Sequence, residues 1–247
     1  MNATFVSGAR INCAPEEGYL RNIPPIRRLL DGETLWFSSP VTFFVGENGT
    51  GKSTLIEAIA VAVGFNPEGG TKNFRFQTAK AHSSLHECLT LIKRGYPKDG
   101  FFLRAESFFN VATNIDALDG EMAFSPPVID SYGGVSLHEK SHGESFLQLV
   151  QNRFGGNGLY ILDEPEAALS PMKLLTLMCE MRRLVKKNSQ FIIATHSPIL
   201  MAFPGAEIFE FSENGIQKTD FRETAHYEIT RRFLENPNKF FDVLFDD

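Results

Sequence analysis

The sequence predicts an α/β fold with a mostly parallel central sheet, preceded by an N-terminal antiparallel β layer. Three observations carry this. Unbroken apolar runs occur at residues 41–45 (VTFFV), 159–162 (LYIL) and 191–194 (FIIA); without polar alternation, such runs are strands buried on both faces. Helical patterns follow at 52–63 and 172–187, and strands that alternate with helices pair in parallel under helical cover. A glycine-rich turn joins the first run to its helix.

In chain order, residues 1–40 mix short apolar pieces with the turn signals Pro24, Pro25 and Asp31-Gly32, and read as hairpin or meander strands. The strand at 41–45 leads into a helix at 52–63 (KSTLIEAIAVAV), which Gly64, Pro67, Gly69 and Gly70 end. Ser83 or Ser84 caps a second helix ending near Gly95. Residues 101–105 (FFLRA) form a strand, and residues 116–142, rich in Gly, Pro and Ser, a mobile loop. A helix runs from Gly143 to Phe154, a strand over 159–162, a helix from Met172 to Lys187 and a strand over 191–194. The C-terminal stretch gives two short strands around the hairpin signal Asn214-Gly215, then one or two helices. The whole of 1–247 reads as one domain with a small helical or β insert at roughly 71–140.

Composition bounds the function. Hydrophobic residues make up 43% of the chain, enough for a real core, and 23 Phe read as core packing. A net charge of -6 argues against nucleic-acid or membrane binding by bulk charge. Arg182, Arg183, Lys186 and Lys187 read as a solvated helix face. Cys13, Cys88 and Cys179 lie far apart without a CxxC, which suggests reduced thiols in a cytoplasmic protein. No signal peptide and no apolar run of ~18–20 residues is visible. His82 and His86 share a helical face but have no second ligand pair, so a structural metal is disfavoured.

The stretch Gly46-Glu47-Asn48-Gly49-Thr50-Gly51-Lys52-Ser53-Thr54 fits G-x-x-x-x-G-K-[ST] between a buried strand and a helix. Glycines let backbone N–H groups curl around phosphates, and the helix N-terminus adds its positive dipole end. Lys52 then reaches the β- and γ-phosphates of ATP, and the Ser53 hydroxyl ligates Mg²⁺. The strand 159–162 ends in Asp163-Glu164. There Asp163 holds Mg²⁺, directly or through water, and Glu164 acts as general base toward the attacking water. Thr195-His196-Ser197 closes the next strand, and His196 is a candidate γ-phosphate sensor, against the alternative of a structural histidine. Arg104 and Glu106 read either as a strand-end salt bridge or as a phosphate contact or relay.

Together these residues resemble the ABC-type P-loop ATPase superfamily. Ser141-His142-Gly143-Glu144-Ser145 is similar to the ABC signature S-G-G-Q at a helix start. The resemblance implies that Ser141 and Gly143 dock on ATP held by a second copy, hence a homodimer with two sandwiched ATP molecules. The short interval from Lys52 to Ser141 excludes the long coiled-coil arm of SMC-like ATPases. More narrowly, VTFFVGENGTGKSTLIEAIAVAVGFNPEGG, FFLRAESFFNVA, LYILDEPEAALSP and QFIIATHSPIL resemble a bacterial family of small AAA/ABC-like ATPases of the RecF/SMC branch, from about Val41 to the C-terminus.

The sequence departs from the ABC pattern within the signature, where His142 replaces a Gly and Glu144 the Gln, and in further places. Ala168-Leu169-Ser170 stands where the D-loop usually ends in Asp. Gln77 is the best candidate for the glutamine that senses Mg²⁺ and water, alongside a plain surface role. Tyr19 and Trp36 are the candidates for adenine stacking, with core packing favoured for Trp36. The function expected is Mg²⁺-dependent ATP hydrolysis driving a conformational switch in DNA maintenance or defence, with duplex DNA a candidate partner. The alternatives are the ATP subunit of an ABC transporter, with a membrane partner chain, or a nucleotide-regulated binding module with little turnover.

Overall fold

The structure, a computed structural model, describes residues 4–72, 83–121, 128–132, 134, 136, 138 and 141–245. From the N-terminus the elements are β1 (Val6–Ile11), α1 (Pro24–Leu30), β2 (Leu35–Trp36), β3 (Val41–Gly46), α2 (Lys52–Val63), α3 (Leu85–Cys88) and β4 (Leu89–Lys93). The middle adds β5 (Asp99–Arg104), α4 (Phe108–Glu121), α5 (His142–Arg153) and β6 (Gly158–Asp163). The last part comprises α6 (Pro171–Lys186), β7 (Gln190–Ala194), α7 (Pro198–Met201), β8 (Glu207–Ser212), β9 (Gly215–Thr219), α8 (Ala225–Glu235) and α9 (Pro237–Leu244).

The main sheet has the order β5-β6-β7-β3-β8-β9; its first five strands are parallel and β9 returns antiparallel to β8. A second sheet, β2-β1-β4, is antiparallel. Successive strand side chains point to opposite faces, so each buried strand feeds two cores. Phe43, Tyr160, Leu162 and Phe191 pack with α4, α5 and α6 on one face. Phe44, Leu159, Ile161 and Ile192 pack with α1, α2 and the antiparallel sheet on the other. Burying each such side chain contributes about 1.5–3 kcal/mol, which is why unalternated apolar runs form the centre of the sheet. No helix among the described residues is long and apolar enough to cross a membrane.

Several expectations are corrected. Pro24 and Pro25 do not turn the chain; they open α1, because proline at the first helical positions gives up an N–H that has no partner there anyway. The helix expected to end near Gly95 stops at Cys88, and the alternating segment LTLIK becomes β4 by pairing with β1. The stretch assigned to an insert thus contributes a strand to the N-terminal sheet. Residues 116–121, expected to belong to a loop, are the last part of α4. Trp36 is 55% exposed rather than core. Cys13 and Cys88 form a disulfide, with Cα atoms 5.1 Å apart, instead of remaining reduced; Cys179 is free. Arg182, Lys186 and Lys187 are exposed and Arg183 pairs with Glu180, as a solvated face should.

Candidate active site

The parallel strands end along one edge, where open α/β sheets bind ligands. β3 stops at Gly46, whose φ is 137°. A Cβ there would lie 2.2 Å from the Phe211 carbonyl oxygen on β8, so only glycine lets the turn pass. Gly51, at φ 94°, starts α2, and its missing side chain leaves room for Ile23. Lys52, the first residue of α2, is buried, and its Nζ donates to the carbonyls of Gly46 (2.7 Å) and Glu47 (2.8 Å). Burial pulls its pKa below the usual lysine range, against the opposing pull of Glu164, Asp163, Glu47 and Glu166. The next residue, Ser53, donates from Oγ to Asp163 Oδ1 at 3.1 Å.

Asp163 closes β6 and is almost wholly buried. Burial is the main cause that lifts its carboxyl to about 6; Arg104 and the Ser53 hydrogen bond pull the other way. Arg104 sits at the register position beside it on β5. Its guanidinium reaches Asp163 Oδ2 at 3.4 Å and Glu57 on α2 at 2.5 Å, and Glu106 only at 3.9 Å. Glu106 is therefore the outermost of three carboxylate partners.

Glu164 has left-handed backbone angles, φ 51° and ψ 51°. For a residue other than glycine this costs on the order of 1–3 kcal/mol and clusters at functional sites. The turn places Glu164 Oε1 3.4 Å from His196 Nε2. Two residues on, the Glu166 carboxylate accepts the His196 backbone N–H, and burial raises its pKa. The other ring nitrogen of His196, Nδ1, lies 3.0 Å from Nε2 of His226 on α8.

Ser141 caps α5, and the Glu144 carboxylate accepts from its backbone N (3.1 Å) and its Oγ (2.5 Å). The Glu that stands where ABC signatures carry Gln thus holds the helix start. A Cβ on Gly143 would lie 2.7 Å from the Ala168 carbonyl oxygen, so glycine lets α5 approach the turn after Glu164.

Among the described residues, two clefts open on this edge. One, of about 830 Å³, is lined by Glu47, Asn48, Gly49, Glu210, Phe211 and His226 among others. The second, of about 590 Å³, is lined by Glu106, Ser141, His142, Gly143, Ala168 and Lys173 among others. They share no lining residue. Lys52, Ser53, Asp163, Glu164 and His196 come together where β3, β6 and β7 end, whereas Ser141 and Gly143 stand at the second cleft. Gln77 and His82 lie outside the described residues. Neither Tyr19 nor Trp36 lines the first cleft. His86 bonds to the Ser83 carbonyl, and no metal-holding cluster of His, Cys, Asp and Glu occurs among the described residues. Sequence reasoning missed three groups: Glu57 as the partner of Arg104, Glu166 and His226. Glu57 left a signal, since a charge within the apolar run LIEAIAVAV needs a partner when buried.

A family profile described as "AAA domain" matches residues 19–101, and one described as "AAA domain, putative AbiEii toxin, Type IV TA system" matches residues 136–202. No curated protein matches the chain in sequence. Among solved structures, one described as "an inward-facing conformation of a putative metal-chelate type ABC transporter" aligns over 92% of this chain and 88% of its own at 13% identity, with a TM-score of 0.51. The cbiO1 component of the cbiONQ ABC transporter complex of Clostridium perfringens aligns over 83% and 88% at 18% identity (TM-score 0.47), and the SMC head domain of Thermotoga maritima over 88% and 99% at 16% (TM-score 0.45). Fold and site together define a P-loop ATPase domain. Over residues 19–101 and 136–202 the chain is similar to AAA-type ATPase domains.

Proposed function

We propose that the chain is a Mg²⁺-dependent ATPase that works as an ATP-sandwiched homodimer, switching a partner between two conformations. The observation that carries this is the meeting of Lys52, Ser53, Asp163, Glu164 and His196 at one sheet edge, with Ser53 Oγ 3.1 Å from Asp163 Oδ1. Two hard oxygens, one from the first turn of α2 and one from the end of β6, suit Mg²⁺, which prefers oxygen ligands and keeps several waters. The buried ammonium of Lys52, at a helix start among glycines, suits a polyphosphate. Bound there, Mg²⁺ would offset charge on the phosphate oxygens.

The rest is done by this chain's residues. Backbone N–H groups of 46–54 and Lys52 hold the phosphates. Glu164 takes a proton from water as the water oxygen bonds to the γ-phosphorus and the bond to the ADP oxygen breaks; His196 faces that phosphate. Ser141, Gly143 and Lys173, in the second cleft, meet the γ-phosphate of a second copy, since neither cleft alone contains both halves. The partial match to a profile whose description names a toxin supports a defence-type switch, with DNA maintenance the neighbouring reading.

Steady-state hydrolysis tests the chemistry. Glu164→Gln should lower kcat about 100-fold or more while ATP binding stays, and Lys52→Ala should lose ATP binding. Equal turnover in Glu164→Gln and wild type would rule out this site. Stimulation of the wild type by linear duplex DNA that fades with added salt would assign the switch to DNA.

A further inference from the structure

His226 belongs to no motif, yet it is the group that His196 Nδ1 meets. Its place is fixed by the start of α8. The fully buried Thr224 caps that helix, accepting from Tyr227 N at 3.3 Å and donating from Oγ1 to the Phe221 carbonyl at 2.7 Å. The two imidazoles are tilted by 57° with centroids 5.1 Å apart, so they meet edge to edge through nitrogen rather than by stacking.

Two nitrogens 3.0 Å apart need one N–H and one lone pair between them. If His196 supplied the N–H from Nδ1, its Nε2 would turn a lone pair toward the Glu164 carboxylate 3.4 Å away, setting two acceptors against each other. The reverse arrangement avoids this: His226 Nε2–H donates, His196 Nδ1 accepts, and His196 Nε2 carries the proton that faces Glu164. Burial keeps both rings below the ordinary histidine pKa, with Lys52 acting in the same sense and Glu164 and Glu47 against it. Both are then neutral near pH 7, as a single N–H···N bond between them requires.

We propose that His226 is a positioning residue that locks His196 in its Nε2-protonated tautomer, so that an N–H rather than a lone pair points at the reacting phosphate. The inference rests on the ATPase reading of the site. For metal-bound histidines a partner that fixes the tautomer typically matters about 10- to 100-fold, and a comparable effect is expected here.

Long-range ¹H–¹⁵N correlation spectra of the whole protein with ¹⁵N-labelled histidine, at pH 7.5 without nucleotide, read the tautomer directly. Wild type should show His196 protonated at Nε2, His226→Leu should lose that preference, and His226→Gln, whose amide N–H reaches a similar point, should keep it. In parallel, His226→Leu should lower kcat about 10- to 100-fold with KM for ATP within about twofold, and His226→Gln should restore most of the rate. Wild-type His196 protonated at Nδ1, or a leucine variant that keeps both the Nε2 proton and kcat, overturns the proposal. Should the leucine variant fail to fold, loss of the Nε2 proton in the glutamine variant overturns it equally. A wild type that hydrolyses no ATP refutes the ATPase reading, while the tautomer spectra still decide the role of His226.

Discussion

Glu207 shows what a single buried charge demands. It lies on β8 with 4% exposure, and its Oε1 accepts from Ser38 N (2.8 Å), Ser39 N (3.0 Å) and Thr42 Oγ1 (3.0 Å). Its Oε2 accepts from Ser38 Oγ (2.7 Å) and Lys218 Nζ (3.0 Å). Burial alone would raise its pKa, but these donors outweigh it and hold the carboxyl below the usual 4.5. The folded protein therefore binds this proton more weakly than the unfolded chain. The stabilisation is complete above about pH 4.5 and falls away as pH drops through the lower folded value. Glu207→Gln should cost about 1–3 kcal/mol at pH 7, because donors built for a carboxylate lose an acceptor. In urea titrations at pH 7 and at pH 3.5, the gap between variant and wild type should narrow at the lower pH; a constant gap would assign the loss to packing. At this scale the sequence showed Lys52, Ser53, Asp163 and Glu164, because a phosphate loop and an acidic strand end are written in contiguous residues. Arg104 with Glu57, Glu166 with His196, and His226 were not legible, since each pair joins segments tens of residues apart.

At the scale of elements, buried parallel strands were the most legible, because an apolar run has few other stable fates. β3, β6 and β7 lie where the runs are. What β4 and α1 became depended on partners the local pattern does not name. The pairing of Ile11 with Leu89 across β1 and β4 is also what brings Cys13 and Cys88 together, although they are separated by 75 positions. Spacing in sequence could not foretell it. Thiol titration of the protein unfolded under non-reducing conditions should find only Cys179 free. Cys13→Ser should lower stability by up to about 4 kcal/mol, the chain-entropy value for closing a loop of that length. Three reactive thiols, with no loss in Cys13→Ser, would restore the reduced state expected from the sequence. Gly143 makes a second element-scale case. Gly143→Ala would push a methyl against the Ala168 carbonyl, 2.7 Å from the new carbon, and should cost about 1–3 kcal/mol by overpacking. Thermal melts would show this directly, and α5 would move away from the turn after Glu164.

The whole molecule presents its phosphate loop and its signature helix on different clefts of one sheet edge, and this separation makes a testable demand. A chain that hydrolyses ATP with only the first cleft would be indifferent to changes in the second. A chain that works as a sandwich would need both, contributed by two copies. Lys173 discriminates between these. Its Nζ stands 3.4 Å from Ser141 Oγ, so the second cleft offers an ammonium, a hydroxyl and the N-terminus of α5, a combination suited to an anion. Lys173 lines the second cleft and not the first. Lys173→Ala should leave ATP binding to the monomer within about twofold, because that affinity is set at 46–54, and should weaken dimerisation about 10-fold or more by removing a charge-assisted contact of ~1.5–3 kcal/mol. Glu164→Gln with ATP and Mg²⁺ supplies the trapped state in which to measure it. By sedimentation velocity the Glu164→Gln protein should pass from monomer to dimer as ATP is added, and the Glu164→Gln, Lys173→Ala double variant should need a correspondingly higher protein concentration. Added salt should weaken the first more steeply than the second, since only the first retains the ammonium. A monomer at every ATP concentration would refute the sandwich, and turnover would then have to be completed within one chain. A dimer indifferent to Lys173 would keep two copies but place their contact away from the signature cleft.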